Sequence, residues 1–307
     1  MNRNRLKKHV NDWITRLGSQ EKVSQKCGIS KTALSLWMSG KYRADTTKLE
    51  NKIAVALNYK ESDWVFVEEL RNYKTAEFFF NQCKEFHLWV GCDCNAGAGK
   101  SSSFEHLYNK DLSGSVIFIA AEAWSEKQFL TKLYENLSST SLPDFYMTNA
   151  KIFDQVVVLL KQLESPVLII DEYTKLKRAA KMRLVTLYNR TEEHLGCIVI
   201  GSELEKEIKD GVRRHIKGYD ETDSRLGRTY IKLPGLTKRE AFLLCEANGV
   251  TEDEKKENIW SEVEKVVKTV KVKKETGTVE REVLHCEDLR RLKRLAIRER
   301  ISNKVNC

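Results

Sequence analysis

The chain has 307 residues, of which 41% are hydrophobic and three are proline. That is enough for about two or three domains with real cores, and it excludes a largely disordered polymer. The formal charge of +9 is concentrated at the front: residues 1–60 hold 13 Lys and Arg against 4 Asp and Glu, and the remainder holds 40 of each sign.

A basic excess confined to one small terminal module predicts a polyanion partner, nucleic acid first, with a merely solvated basic face as the alternative. No apolar run reaches the roughly 18 residues a transmembrane helix needs. The start MNRNRLKKHVNDW lacks the apolar stretch of a signal peptide. A cytoplasmic protein with no membrane partner is expected. The eight cysteines (27, 83, 92, 94, 197, 245, 286 and 307) form no C-x-x-C pair. They read as free, mostly buried thiols rather than a zinc site, with Cys92 and Cys94 placed for oxidation sensitivity beside the glycine-rich turn described below.

Residues 1–62 are expected to form an all-α domain. Leu6, Val10, Trp13, Ile14 and Leu17 have helical spacing over residues 3–17. Ser19 precedes a short helix, Gln20–Cys27. Gly28-Ile29 makes a turn, and Ser30 caps a second helix, Lys31–Ser39, that Gly40 ends. A further helix runs from about Asp45 to Leu57. Two short helices joined by a glycine turn form a helix-turn-helix. Val23, Ile29, Leu34 and Trp37 would pack the crossing. Ser30, Lys31, Thr32, Ser35 and Met38 would face outward, where short polar and basic side chains reach phosphates and base edges. GISKTALSLWMSGKY resembles the phage-repressor type of this motif. The alternative is a helical protein-docking module.

Residues 63–80 read as a connecting segment, helical over Asp63–Tyr73, and residues 81–234 as an α/β nucleotide-binding core. The apolar run Leu88-Trp89-Val90 enters a turn of small residues, Cys94-Asn95-Ala96-Gly97-Ala98-Gly99-Lys100-Ser101, followed by Ser102. A strand, a glycine-rich turn and a helix start suit a nucleotide triphosphate. Backbone N–H groups cradle phosphate oxygens, the lysine neutralises the outer phosphates, and the Ser101 hydroxyl ligates Mg²⁺. The pattern departs from G-x-x-x-x-G-K-[ST] at its first position, where Cys94 replaces glycine.

Val116–Ala120 reads as a buried parallel strand, followed by helices over Ser125–Leu137 and residues 150–163 with an ill-defined loop between them. Val167-Leu168-Ile169-Ile170-Asp171-Glu172 is a strand delivering two carboxylates to its C-terminal edge, about 70 residues after the turn. Open α/β sheets bind ligands at that edge. Asp171 would hold Mg²⁺ opposite Ser101, and Glu172 would orient and polarise an attacking water. Lys175, Lys177, Arg178, Lys181 and Arg183 follow within nine residues, either tracking a DNA backbone or forming a solvated helix face. Cys197–Ile200 is another strand, and Ser202 at its end is placed for the γ-phosphate or the attacking water. Arg225 and Arg228 precede a last strand, Tyr230–Leu233. They suit charge stabilisation of a neighbouring subunit's nucleotide, or plain surface ion pairs.

Residues 235–307 read as a helical lid: Lys238–Ala247, Glu252–Val267, a small hairpin around Val270–Val279, and a basic amphipathic helix Cys286–Ile301. Arg290 would reach back toward the phosphates. Arg291, Arg294 and Arg298 form a solvated or DNA-facing stripe.

CNAGAGKS, VLIIDEY, IVIGS, the arginine pair and the lid together resemble AAA+ ATPases. The repressor-like domain ahead of them resembles the domain order of the phage Mu B group of transposition ATPases. The resemblance implies an AAA+ P-loop core that binds ATP with Mg²⁺. It also implies a homo-oligomer, ring or helical filament, on double-stranded DNA of little sequence preference. Such an oligomer would activate a transposase, and hydrolysis would disassemble it. It makes Gly97–Ser102 the nucleotide loop, Asp171 and Glu172 the metal and water residues, Ser202 the first sensor, Arg225 and Arg228 finger candidates, and Arg290 the second sensor. Cys94, and Ser202 where Asn or Thr is common, bear on hydrolysis rate more than on binding. A helicase loader and an ATP-switched transcription regulator are the competing readings.

Overall fold

The computed structural model describes residues 2–59, 61–138, 147–274 and 277–305. At the N-terminus, α1 (Arg3–Leu17), α2 (Gln20–Lys26), α3 (Lys31–Met38) and α4 (Thr47–Ala56) form a small bundle. The side chains of Asn2, Ser19 and Ser30 cap the first three by accepting backbone N–H bonds, which satisfies donors the first turn leaves open. Leu6, Val10, Trp13, Val23, Leu34, Trp37, Ile53 and Leu57 make its core. Trp37 donates its indole N–H to Glu50 at 2.9 Å, so the buried polar atom is not orphaned.

The central unit is built from α5 (Arg71–Phe86), β1 (Trp89–Asp93), α6 (Lys100–Lys110), β2 (Val116–Ala120), α7 (Glu126–Ser138), α8 (Asn149–Lys161), β3 (Val167–Asp171), α9 (Arg178–Thr191), β4 (Gly196–Gly201), α10 (Leu204–Arg213), α11 (Tyr219–Arg225) and β5 (Tyr230–Ile231). The strands form one parallel sheet in the order β2-β3-β4-β1-β5. Successive strand residues point to opposite faces, and both faces are covered. Leu168 and Ile170 join Ile117, Ile119 and Val199 against α7, α8 and α9. Val167 and Ile169 join Val116, Ile198 and Ile200 against α5 and α6 through Tyr73, Ala76, Phe80, Phe104 and Leu107. An α/β core with a parallel sheet is the fold class expected from the sequence. One boundary differs. The connecting helix expected over Asp63–Tyr73 is instead non-helical through Leu70. The helix begins at Arg71 and runs unbroken across residue 80 to Phe86, because Tyr73, Ala76, Phe80 and Cys83 form one buried stripe against the sheet.

The C-terminal unit comprises β6 (Leu236–Thr237), α12 (Lys238–Ala247), α13 (Asp253–Glu262), β7 (Val266–Lys274), β8 (Gly277–Cys286) and α14 (Leu289–Val305). It is not all-helical. An antiparallel sheet, β6-β8-β7, lies within it. The helix expected to reach Val267 stops at Glu262, and β8 takes Cys286, which was expected to open the last helix. Residues 266–272 (VVKTVKV) favour a strand through their β-branched residues. The loop expected before Asn149 and the turn residue Thr276 fall largely or wholly outside the described residues.

Arginine contacts help join the units. Arg16 at the end of α1 donates to the carbonyls of Tyr108 (2.7 Å), Asn109 (3.4 Å) and Asp111 (3.2 Å), at the C-terminal end of α6. Its guanidinium carbon lies 4.8 Å from the Trp13 ring centre and 4.2 Å from that of Tyr108. A cation there complements the negative end of the helix. Between the central and C-terminal units, Arg71 donates to the Glu240 carboxylate through its backbone N–H and its guanidinium, at 2.9–3.1 Å. Burial raises the Glu240 pKa, but the bonds from Arg71 and Thr237 outweigh it and hold the carboxyl down at about 2.

Candidate phosphate-binding site

The turn between β1 and α6 brings backbone, ammonium and hydroxyl groups to the C-terminal edge of the sheet. Gly97 and Gly99 have φ of 89° and 86°, the left-handed region where only glycine is unstrained. Cys94 is not among the residues of positive φ, so the position where the common pattern has glycine makes no such demand here. Its Sγ has a place instead, accepting the backbone N–H of Leu233 at 3.1 Å. A hydrogen bond from the Cys92 thiol lowers the Cys94 pKa to about 7, with burial opposing and the Leu233 N–H and the Lys100 ammonium assisting. The Cys92 partner is raised by the same bond and by burial. All seven described cysteines are free thiols.

Lys100 opens α6 and is buried. Its Nζ donates to Cys94 O (3.0 Å), Asn95 O (3.2 Å) and Ser202 Oγ (2.9 Å). Ser202 reaches it because β4 lies between β1 and β3, which puts the end of β4 between the loop and the acidic pair. Asp171 ends β3, buried. Its carboxylate is hydrogen-bonded by Ser101 and accepts the Glu172 N–H at 2.9 Å. Burial raises the Asp171 pKa, with Ser101, the Glu172 N–H and Lys100 opposing and the Glu172 charge adding to it. Glu172 has φ 55°, a left-handed conformation uncommon for a non-glycine residue, and its side chain is 43% exposed with Lys175 Nζ at 3.5 Å. Thus Asn95 to Ser101, Asp171 and Ser202 lie together. A buried ammonium beside a serine–aspartate pair, at the start of a helix, suits polyphosphate and a hard divalent cation.

A cleft of about 370 Å³ opens beside the loop, between Asp93, Cys94, Asn95, Ala98, Lys232 and Lys268. The C-terminal unit closes over the loop. The backbone N–H groups of Leu289 and Arg290 donate to Gly97 O at 2.9 and 3.3 Å. A Cβ on Gly97 would overlap the Asp288 carboxylate, and one on Gly99 would lie 3.0 Å from Leu289 Cδ2. Arg290 is therefore at the loop by its backbone, while its side chain is exposed. Ser102 donates its hydroxyl to Gly99 O at 2.9 Å within α6's first turn.

The remaining candidates are more dispersed. Arg225 is turned inward, its side chain 21% exposed, donating to Glu221 O and Asn189 Oδ1 and lying over the Tyr188 ring. Arg228 is 52% exposed, paired with Asp220 and Asp223. Of the basic run, Lys175, Lys177 and Arg178 are exposed, with Arg178 bonded to Lys217 O. Lys181 does not belong to an outward surface. It is 5% exposed, donates to Thr174 O and Glu207, and lies over the Tyr173 ring. It precedes the buried Leu184 and Val185 by three and four residues, on the inward face of α9. In the front module, Ser30, Lys31, Thr32 and Ser35 are all exposed. Ser30 Oγ caps α3, and Lys31 pairs with Glu21 at 3.1 Å. Met38 is half-buried rather than outward.

Sequence reasoning missed Asn72, 2% exposed, whose amide bonds both the loop and the segment leading to β6. A lone asparagine in a helical stretch carries no signal for that role. It also missed Asp288 and Leu289, which touch the loop only through tertiary packing.

Residues 92–207 match the family described as AAA domain. This stretch carries an AAA-type P-loop NTPase core. No protein in the curated set matches the chain. Among solved structures, Cdc6p from Pyrobaculum aerophilum is similar at 13% identity and a TM-score of 0.47, over 62% of this chain and 52% of that one. The chain thus spans about half that relative's length. The P-loop NTPase domain of the sigma-54 transport activator from E. coli is similar at 17% identity and a TM-score of 0.32, over 56% of this chain and all of that domain. Among the described residues, no helix is long and apolar enough to cross a membrane.

Proposed function

We propose that this chain is a DNA-stimulated ATPase that assembles on double-stranded DNA as a homo-oligomer, ring or filament, and directs a transposase. The observation that carries the ATPase is the convergence of Lys100, Ser101, Asp171 and Ser202 at one end of α6. The basic front module held by Arg16 at the other end of that helix supports DNA as the stimulating partner. The choice of transposition over other DNA transactions rests on the order of a repressor-like module, an AAA-type core and a lid, which resembles the Mu B group.

In this reading the N–H groups of residues 97–102 and the Lys100 ammonium bind the phosphates of ATP. Ser101 and Asp171 hold Mg²⁺, which when bound neutralises charge on the phosphate oxygens. Glu172, exposed at the edge of the sheet, orients the attacking water, and Ser202 holds Lys100 in register with the outer phosphate. Arg228, the more exposed of the two arginines, is the stronger candidate for charge stabilisation in a neighbouring subunit. Arg290 enters from the lid. Ser30, Lys31, Thr32, Ser35, Lys175, Lys177 and Arg178 meet the DNA.

Phosphate release measured with and without random-sequence duplex tests this. Stimulation by arbitrary duplex is expected. The second reading, an ATP-switched transcription regulator, is favoured by the exposed polar face of α3, and it predicts tight binding to one operator with no stimulation by random DNA. A helicase loader is disfavoured by the repressor-like module.

A further inference from the structure

The outward carbonyls of two consecutive loop residues are both held from outside the loop. Gly97 O accepts the first N–H groups of α14. Ala98 O accepts the side-chain amide of Asn72 at 3.0 Å. The other atom of that amide, Asn72 Oδ1, accepts the backbone N–H of Gly235 at 2.8 Å. Gly235 lies between β5 and β6, where the chain leaves the core for the C-terminal unit. Its φ is 79°, and a Cβ there would lie 2.9 Å from Cys286 O. The two partners fix the orientation of the amide: a carbonyl requires the NH₂ group and an N–H requires the oxygen. Asn72 is buried, so neither bond competes with water, and neither partner has a solvent alternative. The preceding residue, Arg71, holds α12 through Glu240. One turn of α5 therefore grips the loop, the crossover into the C-terminal unit and that unit's first helix.

We propose that Asn72 is a positioning residue that couples the phosphate loop to the C-terminal unit, so that a nucleotide ordering the loop also fixes the lid. This rests on the loop being the ATP site. Asn72 touches no phosphate. It acts by holding Ala98 O, which through the planar trans peptide fixes the Gly99 N–H in the opposite direction, and by tying that carbonyl to the backbone at Gly235. A hydrophobic side chain cannot supply either bond. An aspartate can accept from Gly235 but donates to Ala98 only when protonated.

The test uses the full chain with Asn72→Ala and Asn72→Asp, each first checked for a cooperative thermal transition. Hydrogen exchange over residues 233–238 and 287–291 is followed with and without ATP, and KM and kcat for phosphate release are measured from pH 8 to 6. Asn72→Ala loses both bonds and is expected to raise KM by roughly tenfold, the cost of the one that reaches the loop. It should also speed exchange at residues 233–238 and abolish the ATP-dependent protection of residues 287–291. Asn72→Asp is expected to behave similarly at about pH 8 and to recover toward wild-type KM near about pH 6, because a buried carboxyl titrates high and regains a donor on protonation. A folded Asn72→Ala chain with unchanged KM and intact ATP-dependent protection of residues 287–291 overturns the coupling, as does an Asn72→Asp KM that ignores pH relative to wild type. Should the wild-type chain bind no ATP, the ATPase reading fails. The exchange at residues 233–238 without nucleotide then still reports on the tie, and unchanged exchange in Asn72→Ala overturns it.

Discussion

The Nζ of Lys100 donates to the hydroxyl of Ser202 at 2.9 Å, joining the first residue of α6 to the end of β4. That bond holds a buried ammonium at the edge of the sheet, and removing either partner has distinct consequences. Lys100→Ala is expected to weaken ATP binding by about 2–3 kcal/mol, roughly 30- to 150-fold, as for a lost charged hydrogen bond. Ser202→Ala leaves the cation in place and is expected to cost turnover more than affinity. Titration with a fluorescent ATP analogue and phosphate release separate the two. Normal ATP affinity in Lys100→Ala contradicts the site.

Glu172 stands half-exposed at the edge where Asp171 is buried. Glu172→Gln keeps its size and loses its basicity. Nucleotide binding is expected to persist while phosphate release falls by roughly 10²- to 10⁴-fold, the range for a lost general base. DNA-bound assemblies of this variant should outlive those of wild type. Normal hydrolysis in Glu172→Gln removes the residue from its assigned role.

Arg16 satisfies carbonyls at the end of α6 while lying between two aromatic rings. Arg16→Ala is expected to lower stability by about 1–3 kcal/mol and to release the front module from the core. Limited proteolysis within residues 57–70 should become faster without loss of helical content. An unchanged cleavage rate would show that the module is held by other contacts.

The depressed Glu240 pKa sets a pH dependence. Its ordinary value of 4.5 falls to about 2 in the folded chain. A depressed carboxylate contributes stability that is fully present above about pH 4.5 and is lost as pH falls through about 2. Glu240→Gln should therefore be less stable than wild type at neutral pH, with the difference shrinking across that acid window. Urea unfolding at a series of pH values checks the sign. A difference independent of pH contradicts the Arg71–Glu240 account.

Much of the core was legible because its determinants are local. The run from Val167 to Glu172 announces both a buried strand and the carboxylates at its end, and Gly97, Gly99 and Lys100 announce the turn. Ser202 could be named from its strand end, though its bond to Lys100 depends on β4 lying beside β1, which no local pattern encodes. Lys181 misled because charge was counted along the chain rather than around α9, where its spacing to Leu184 and Val185 places it inward. The strands of the C-terminal unit were partly hidden because Ile259, Trp260, Val263 and Val267 have helical spacing that continues past the real end of α13. Asn72 and Leu289 were invisible, since their roles exist only once α5 and α14 have packed on the loop.

The central claim, nucleotide-dependent assembly on DNA, is tested most directly by electron microscopy of the full chain with ATP and random-sequence duplex, with Lys100→Ala as the parallel sample. The account predicts ordered oligomers along the DNA for wild type with ATP, none without nucleotide, and none for Lys100→Ala. Bare DNA in all samples, or equal coating by Lys100→Ala, would contradict it.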